Sequence, residues 1–96
     1  MKMIKLSVVG LGLMGKQHVA AINDHPNCSL DSIIDSNDDV RALAASEGCF
    51  FYSNINEALS KTRPDGLIIS TPNAHHFEDG LAGLKHGIPI LVEKPI

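Results

Sequence analysis

The sequence predicts an α/β domain built on a doubly wound parallel sheet with the strand order 3-2-1-4-5. Three observations predict this class. Short runs of branched apolar residues alternate with longer segments of helical spacing, and the connections between them are short. The run Gly66–Ser70 is apolar almost throughout, as a strand covered on both faces should be. Such a β-α-β string implies a parallel sheet with right-handed crossovers.

Five strands and four helices are predicted in alternation. The strands are Ile4–Val9, Leu30–Asp35, Phe50–Ser53, Gly66–Ser70 and Ile88–Glu93. The helices are Met14–His25, Asp38–Gly48, Asn54–Lys61 and Ala74–His86. We expect Asn37 to cap the second helix, and Gly48 and Gly87 to end the second and fourth helices. Gly80 and Gly83 each cost about 1 kcal/mol relative to Ala, which predicts a locally soft fourth helix.

Size and charge limit the function classes. A chain of 96 residues forms one small domain, able to bury roughly 60–65% of its unfolded surface. The net charge is −3 and no basic stretch is interleaved with aromatic residues, which argues against a nucleic-acid partner. No run approaches the roughly 20 apolar residues of a membrane span.

The sequence gives only weak indications of a signal peptide, a cysteine metal site or a disulfide. Lys2 and Lys5 before an apolar run resemble the start of a signal peptide, but Lys16 interrupts the region where a cleavage site should lie. Cys28 and Cys49 lack metal-ligand spacing, so we expect two reduced thiols in a cytoplasmic protein rather than a disulfide.

The segment "VVGLGLMGKQHV" fits two phosphate-binding patterns at once. Gly10, Gly12 and Gly15 form G-x-G-x-x-G, the fingerprint of a dinucleotide-binding βαβ unit. Gly10, Gly15 and Lys16 also form G-x-x-x-x-G-K, the beginning of the P-loop of a nucleoside triphosphatase. A P-loop requires Ser or Thr after its lysine to coordinate Mg²⁺, and this chain has Gln17. The triphosphatase hypothesis is therefore disfavoured.

The dinucleotide hypothesis assigns a role to each glycine. Gly10 permits a tight turn, Gly12 lets the backbone approach a pyrophosphate, and Gly15 lets the helix pack closely on the strand. The pyrophosphate would lie on free N–H groups at the positive end of the first helix, where Leu13 and Met14 are counted among the cofactor contacts.

An acidic residue at the end of the second strand indicates which dinucleotide is bound. Asp35 lies 20 residues beyond Gly15, where its carboxylate can accept both adenosine ribose hydroxyls and repel a 2′-phosphate. The following "DSNDD" contains no arginine to bind that phosphate. NAD is therefore predicted in preference to NADP.

Two further polar clusters follow the fourth and fifth strands. "STPNAHH" spans Ser70–His76 and "EKP" spans Glu93–Pro95, at the sheet edge where ligands bind in such folds. The first cluster also suits a helix start, with Thr71 or Asn73 as cap. A metal site at the adjacent histidines is disfavoured, because consecutive helical side chains point about 100° apart. Lys94 is a cation that can polarise a carbonyl or stabilise an alkoxide.

These motifs, in this order, resemble the glucose-fructose oxidoreductase/inositol dehydrogenase family (Gfo/Idh/MocA), from "VVGLGLMG" through "STPNAHH" to "GIPILVEKPI". The resemblance implies an NAD(P)-dependent oxidoreductase acting on sugars, cyclitols and related polyols. It places the family's catalytic lysine on Lys94, with Glu93 and Pro95 completing the motif, and it implies that all three residues also contact the cofactor. Family contacts to the nicotinamide ribose fall on Thr71, Pro72, Asn73 and His76, beside Ser70.

The resemblance also implies a C-terminal substrate domain that supplies a general base and selects the substrate. Residues 1–96 are accordingly expected to be the cofactor domain alone, lacking the sixth strand and that second domain. A non-enzymatic dinucleotide-binding sensor or scaffold is the alternative, against which Lys94 argues. Self-association through the fifth, edge strand is expected.

Overall fold

The computed structural model of the chain describes residues 3–70 and 80–92. They form a five-stranded sheet with the order β3-β2-β1-β4-β5, and all four strand pairs are parallel. The strands are β1 Ile4–Val9, β2 Cys28–Ile34, β3 Phe50–Tyr52, β4 Gly66–Ile69 and β5 Ile90–Val92. The helices are α1 Leu13–Asp24, α2 Arg41–Glu47 and α3 Ile55–Lys61, and residues 80–85 are also helical. The predicted fold class and strand order are confirmed.

Several element boundaries differ from the predicted ones for local reasons. β2 begins at Cys28, two residues early, because Cys28 already pairs with Ile4. β5 begins at Ile90 rather than Ile88, since Pro89 has no N–H to donate. Asp35 and Ser70 each lie just beyond the strand that was predicted to contain them.

The predicted second helix is divided in two. Asp38–Val40 is a 3₁₀ turn, and the α-helix begins only at Arg41. The Asn37 side chain accepts the Asp39 N–H at 3.0 Å and caps the turn, as predicted. Gly48, with φ +73°, ends the helix in the left-handed region, which glycine adopts without steric cost.

The other helix ends are close to the predictions. α1 runs from Leu13 to Asp24, with His25 as its C-cap. Asn54 caps α3 from outside the helix by accepting the Glu57 N–H. Gly87 has φ +70° and follows the helical residues 80–85. The start of that predicted helix, residues 74–79, lies outside the described residues.

The sheet is packed on both faces. Alternate residues of each central strand point to opposite sides, so Val8 and Val9 belong to different clusters. One cluster is formed by Val9, Ile34, Ile55, Ala58, Leu59, Leu67, Ile69 and Ile88. The other is formed by Val8, Leu11, Val19, Ile22, Ile33, Ala44 and Ile68. This double coverage explains why β4 is buried along its whole length.

Gly80 and Gly83 have a packing role that helix propensity does not reveal. A Cβ on Gly83 would lie 2.7 Å from Ile90 Cγ2 and 3.0 Å from Leu67 Cδ1. A Cβ on Gly80 would lie 3.2 Å from Ile90 Cδ1. The glycines therefore let this helix approach β5 closely, which gives them a purpose other than the predicted local softness.

A polar cluster lies inside the sheet. Ser7 and Ser32 are fully buried, and their hydroxyls are 2.7 Å apart. The β1–β2 register shifts between Leu6 and Ser7, so that Leu6 pairs with Leu30 but Ser7 with Ser32. Asp31 is the extra residue, and it accepts the Thr62 hydroxyl at 3.0 Å.

Candidate functional site

The loop after β1 has the geometry that its glycines predict. Gly10 has φ +89°, a conformation that favours glycine. Its N–H donates to the Ile34 carbonyl at 2.7 Å, which ties the loop to β2. Gly15 is buried, and a Cβ there would overlap the Gly10 carbonyl oxygen. The predicted turn at Gly10 and close helix–strand contact at Gly15 are therefore confirmed.

Gly12 lies where the loop enters α1. It is the N-cap residue, in extended conformation, and no side chain caps the helix. A Cβ at Gly12 would meet no atom of the described residues within 4 Å. The first N–H groups of α1, which begins with Leu13 and Met14, carry the partial positive charge of a helix start.

Asp35 joins the glycine loop to the turn before α2. Its Oδ2 accepts the Leu11 N–H at 2.7 Å, and its Oδ1 accepts the Asn37 N–H at 2.8 Å. A carboxylate offers about four acceptor positions, so each oxygen retains capacity for a further hydrogen bond. The two backbone donors hold the half-buried carboxylate in one orientation at the carboxyl edge of the sheet.

Ser70 lies at the end of β4, on the other side of β1. Its N–H donates to the Val9 carbonyl at 2.7 Å, which fixes the backbone beside the glycine loop. Its Oγ is buried and has no hydrogen-bond partner among the described residues. A buried hydroxyl of this kind requires a partner, and a ligand in the crevice between β1 and β4 is one way to supply it.

The structure thus brings seven of the predicted site residues to the same sheet edge. Gly10, Gly12 and Gly15 follow the central strand, and Leu13 and Met14 begin α1. Asp35 lies on one side and Ser70 on the other. The other predicted site residues lie outside the described residues: Thr71, Pro72, Asn73, His76, Glu93, Lys94 and Pro95.

Sequence reasoning missed three contacts around this edge. The Leu11 N–H is held by Asp35, and Arg41 pairs with Asp38 while lying over the ring of Phe51. The i, i+3 spacing of Asp38 and Arg41 was a usable signal for the ion pair. The other two contacts join separate elements and leave no local pattern.

Residues 3–70 and 80–92 contain neither a membrane-spanning helix nor a metal-binding cluster. No helix there has the length and apolar composition that a membrane crossing requires. The same residues contain no group of three His, Cys, Asp or Glu side chains placed to hold a metal ion. The adjacent His75 and His76 lie outside these ranges.

Comparison with known proteins identifies the family. Residues 4–96 match the family described as "Oxidoreductase family, NAD-binding Rossmann fold" (GFO_IDH_MocA). The chain belongs to this family. Membership confirms the resemblance seen in the sequence and agrees with NAD as the predicted cofactor. It also favours the dinucleotide hypothesis over the triphosphatase hypothesis for the glycine loop.

Individual family members are similar along nearly the whole chain. The inositol 2-dehydrogenase of Corynebacterium glutamicum is 34% identical over 98 residues, covering 99% of this chain and 29% of that protein. The scyllo-inositol dehydrogenase of Lactobacillus casei superposes with a TM-score of 0.91 at 26% identity, over 99% of this chain and 29% of that chain.

A further solved relative contains a nicotinamide cofactor. The WlbA dehydrogenase of Bordetella pertussis, solved with NADH and UDP-GlcNAcA, superposes with a TM-score of 0.92 at 28% identity. The match covers 98% of this chain and 28% of that chain. The chain therefore spans less than a third of the length of these relatives.

Proposed function

We propose that this chain is the NAD-binding domain of a dehydrogenase that acts on a CH–OH group of a sugar, cyclitol or related polyol. The observation that carries the proposal is the placement of Asp35, whose carboxylate is held beside the glycine loop with acceptor capacity left on both oxygens. The inositol dehydrogenases among the relatives support the substrate class.

The described residues fit a dinucleotide along the sheet edge. The uncapped start of α1 and the open surface at Gly12 suit the pyrophosphate. Asp35 accepts the two adenosine ribose hydroxyls and disfavours the 2′-phosphate of NADP by charge repulsion. The Ser70 hydroxyl, which is buried and has no hydrogen-bond partner among the described residues, would donate to or accept from the cofactor.

The remaining roles rest on the family resemblance. When bound, the nicotinamide ring exchanges hydride with the substrate carbon. Thr71, Pro72, Asn73 and His76 would contact the nicotinamide ribose, with Glu93 and Pro95 completing the motif around the lysine. The Lys94 ammonium would stabilise the negative charge on the substrate oxygen, as a pre-positioned cation does. A second domain in the longer enzyme would supply the general base.

Titration with NAD⁺, NADP⁺ and Mg-ATP in parallel tests the proposal. We expect NAD⁺ to bind most tightly, and Asp35→Ala to weaken it strongly. Lys16→Ala is the matched test of the P-loop, because Lys16 is exposed on α1 and has no role in NAD binding here. Preference for Mg-ATP that is lost in Lys16→Ala would contradict the proposal.

Lys94 distinguishes an enzyme from a sensor or scaffold. In the enzyme that carries this domain, Lys94→Ala should lower kcat by about 10²–10⁴-fold, the range for groups that assist proton and charge movement. The Kd for NAD⁺ should change much less than kcat, since the main role of the ammonium is on the substrate oxygen. NAD⁺ binding without any turnover that depends on Lys94 would favour the sensor alternative.

The proposal includes self-association along β5 and a cytoplasmic location. β5 is the outermost strand of the described sheet on its side, and Leu91 on it is 55% exposed. Exposed apolar edge strands tend to pair with a second copy. Sedimentation of the chain and of Leu91→Lys tests this, with a shift toward monomer expected in the variant. The free thiols of Cys28 and Cys49 are consistent with a reducing compartment.

A further inference from the structure

Arg41 is held in place by two neighbours close to the predicted ribose site. Its Nε and Nη2 donate to Asp38 Oδ1 at 3.1 and 2.8 Å. Its guanidinium carbon lies 4.6 Å from the centre of the Phe51 ring, in a cation–π contact. Arg41 is the only basic residue between Asp35 and Lys61.

Hydrogen bonds connect this ion pair to Asp35. The Asn37 N–H donates to Asp35 Oδ1, and the Asn37 side chain accepts the Asp39 N–H. The 3₁₀ turn Asp38–Val40 is therefore tied to the carboxylate that would hold the ribose, and Arg41 follows the turn directly. A guanidinium near the ribose is the group that accommodates a 2′-phosphate in NADP-binding sites of this architecture.

We propose that Asp38 is a second specificity determinant against NADP, which acts by occupying Arg41. This inference rests on the proposed NAD-binding function. Asp38 engages the guanidinium that follows the turn and so keeps it from a 2′-phosphate. Asp35 repels the 2′-phosphate directly, whereas Asp38 acts indirectly, by binding the Arg41 guanidinium that would otherwise bind the phosphate.

Exposure explains why the pair acts on specificity more than on stability. The Arg41 and Asp38 side chains are 60% and 76% exposed, and surface ion pairs contribute little to folding. An arginine released from this pair is free to meet a new anion. With Asp38 in place, a 2′-phosphate has to compete with the Asp38 carboxylate for this guanidinium, which lowers the affinity for NADP⁺.

The test measures the Kd of NADP⁺ and NAD⁺ for the 96-residue chain in an Asp35→Ser background. Adding Asp38→Ala should tighten NADP⁺ binding by about 10-fold, the gain expected from one charge-assisted contact. NAD⁺ binding should stay within about 2-fold, because NAD⁺ has no 2′-phosphate for the arginine to meet.

Asp39→Ala is the matched control. It removes the same charge one position along, and the Asp39 side chain makes no hydrogen bond or ion pair with the described residues. Its effect on NADP⁺ binding should be less than about 3-fold, as for a screened surface charge. An effect equal to that of Asp38→Ala would overturn the inference, since it would reduce both to general repulsion.

Arg41→Ala, alone and combined with Asp38→Ala, completes a double-mutant cycle that tests whether Asp38 acts through Arg41. In the Asp35→Ser background, the gain from Asp38→Ala should disappear when Arg41 is absent. An equal gain with and without Arg41 would overturn the inference. If Asp35→Ser does not fold, as judged by its urea unfolding curve, Asp35→Asn carries the same cycle with a side chain of the original shape.

The parent chain separates failure of this inference from failure of the proposed function. Absence of NAD⁺ binding by the parent would overturn the proposed function and this inference together. NAD⁺ binding by the parent, combined with independent effects of Asp38→Ala and Arg41→Ala, would overturn only the role assigned to Asp38.

Discussion

Two aspartates four positions apart, Asp31 within β2 and Asp35 just after it, accept hydrogen bonds from different kinds of donor. Asp31 is turned toward side-chain hydroxyls, accepting those of Thr62 at 3.0 Å and Ser7 at 3.4 Å. From the described part of the chain, Asp35 accepts only backbone N–H groups, those of Leu11 and Asn37, both in loops. The hydroxyls of Ser7 in β1 and of Thr62 at the end of α3 tie Asp31 to other parts of the fold, whereas loop N–H groups hold Asp35 at the edge where ligands bind.

The difference arises from register. Asp31 is the extra residue where the β1–β2 pairing shifts, and such bulges turn a side chain away from its regular direction. Asp35 follows the last paired residue of β2, so its side chain reaches the loop after β1. One aspartate therefore contributes to folding, and the other is placed to bind.

The comparison is tested most strongly by removing each carboxylate. Asp35→Ala should weaken NAD⁺ binding by about 100-fold, because two hydrogen bonds from ribose hydroxyls to a charged acceptor are lost. Asp31→Ala should leave the Kd within about 2-fold, since its carboxylate contacts Ser7 and Thr62. Calorimetric titration of both variants with NAD⁺ measures this. Equal weakening of NAD⁺ binding in the two variants would contradict the assignment of Asp35 to the binding site and of Asp31 to the fold.

In the glycine loop that Asp35 holds, an alanine should reduce stability strongly at Gly15 and only slightly at Gly12. Gly15→Ala should lower the free energy of unfolding by about 2 kcal/mol, because the new Cβ overlaps a backbone oxygen that cannot rotate away. Gly12→Ala should cost less than about 1 kcal/mol, as no atom of the described residues lies within 4 Å. Urea unfolding compares them. A larger loss for Gly12→Ala would show that the loop geometry described here is wrong.

The buried hydroxyls of Ser7 and Ser32, which are hydrogen-bonded to each other, should make coupled contributions to the free energy of unfolding. Ser7→Ala should cost about 1 kcal/mol, since it leaves the fully buried Ser32 hydroxyl without its 2.7 Å partner. Ser32→Ala should cost less, because the Ser7 hydroxyl keeps its 3.4 Å contact with the Asp31 carboxylate. The double variant should cost no more than Ser7→Ala, because neither buried hydroxyl then remains. The free energies of unfolding of the three variants measure the coupling. Simple addition of the two losses would contradict it.

Cys49 reports on Asp31 through its thiol. Burial, and then the charges of Glu47 and Asp31, raise the Cys49 pKa from 9.0 to about 11. At pH 8 only about 0.1% of this thiol is ionised, so alkylation should be slow and should rise steeply above pH 9. Asp31→Asn should lower this pKa and speed alkylation, whereas Asp35→Asn should not. Mass spectrometry of Cys49 labelling against pH measures the rates.

The same shift has a consequence for stability. The folded-state pKa of Cys49 lies above its unfolded value, so folding favours the protonated thiol. Its contribution is complete below pH 9 and is lost as the pH rises to about 11. Cys49→Ser should flatten the pH dependence of unfolding within that window. An unchanged slope would contradict the shifted pKa.

The sequence predicts what depends on local pattern. The alternation of strand and helix segments predicted the doubly wound sheet and its strand order. The G-x-G-x-x-G spacing with Asp35 predicted the edge on which the site lies. The bulge at Asp31 depends on pairing between distant segments, so no local pattern announces it. Gly80 and Gly83 were predicted to soften a helix because their partner, Ile90, lies on another element. The roles of Thr71, His76 and Lys94 stay predictions.

A titration of ¹⁵N-labelled chain with NAD⁺, followed by amide NMR, tests the central claim most directly. We expect the amide signals of Gly10, Leu11, Gly12 and Asn37 to shift, because they surround the proposed ribose and pyrophosphate positions. The signals of Ser7 and Thr62 should stay in place, since they belong to the cluster around Asp31. Shifts confined to that interior cluster, or no shift at saturating NAD⁺, would contradict the account.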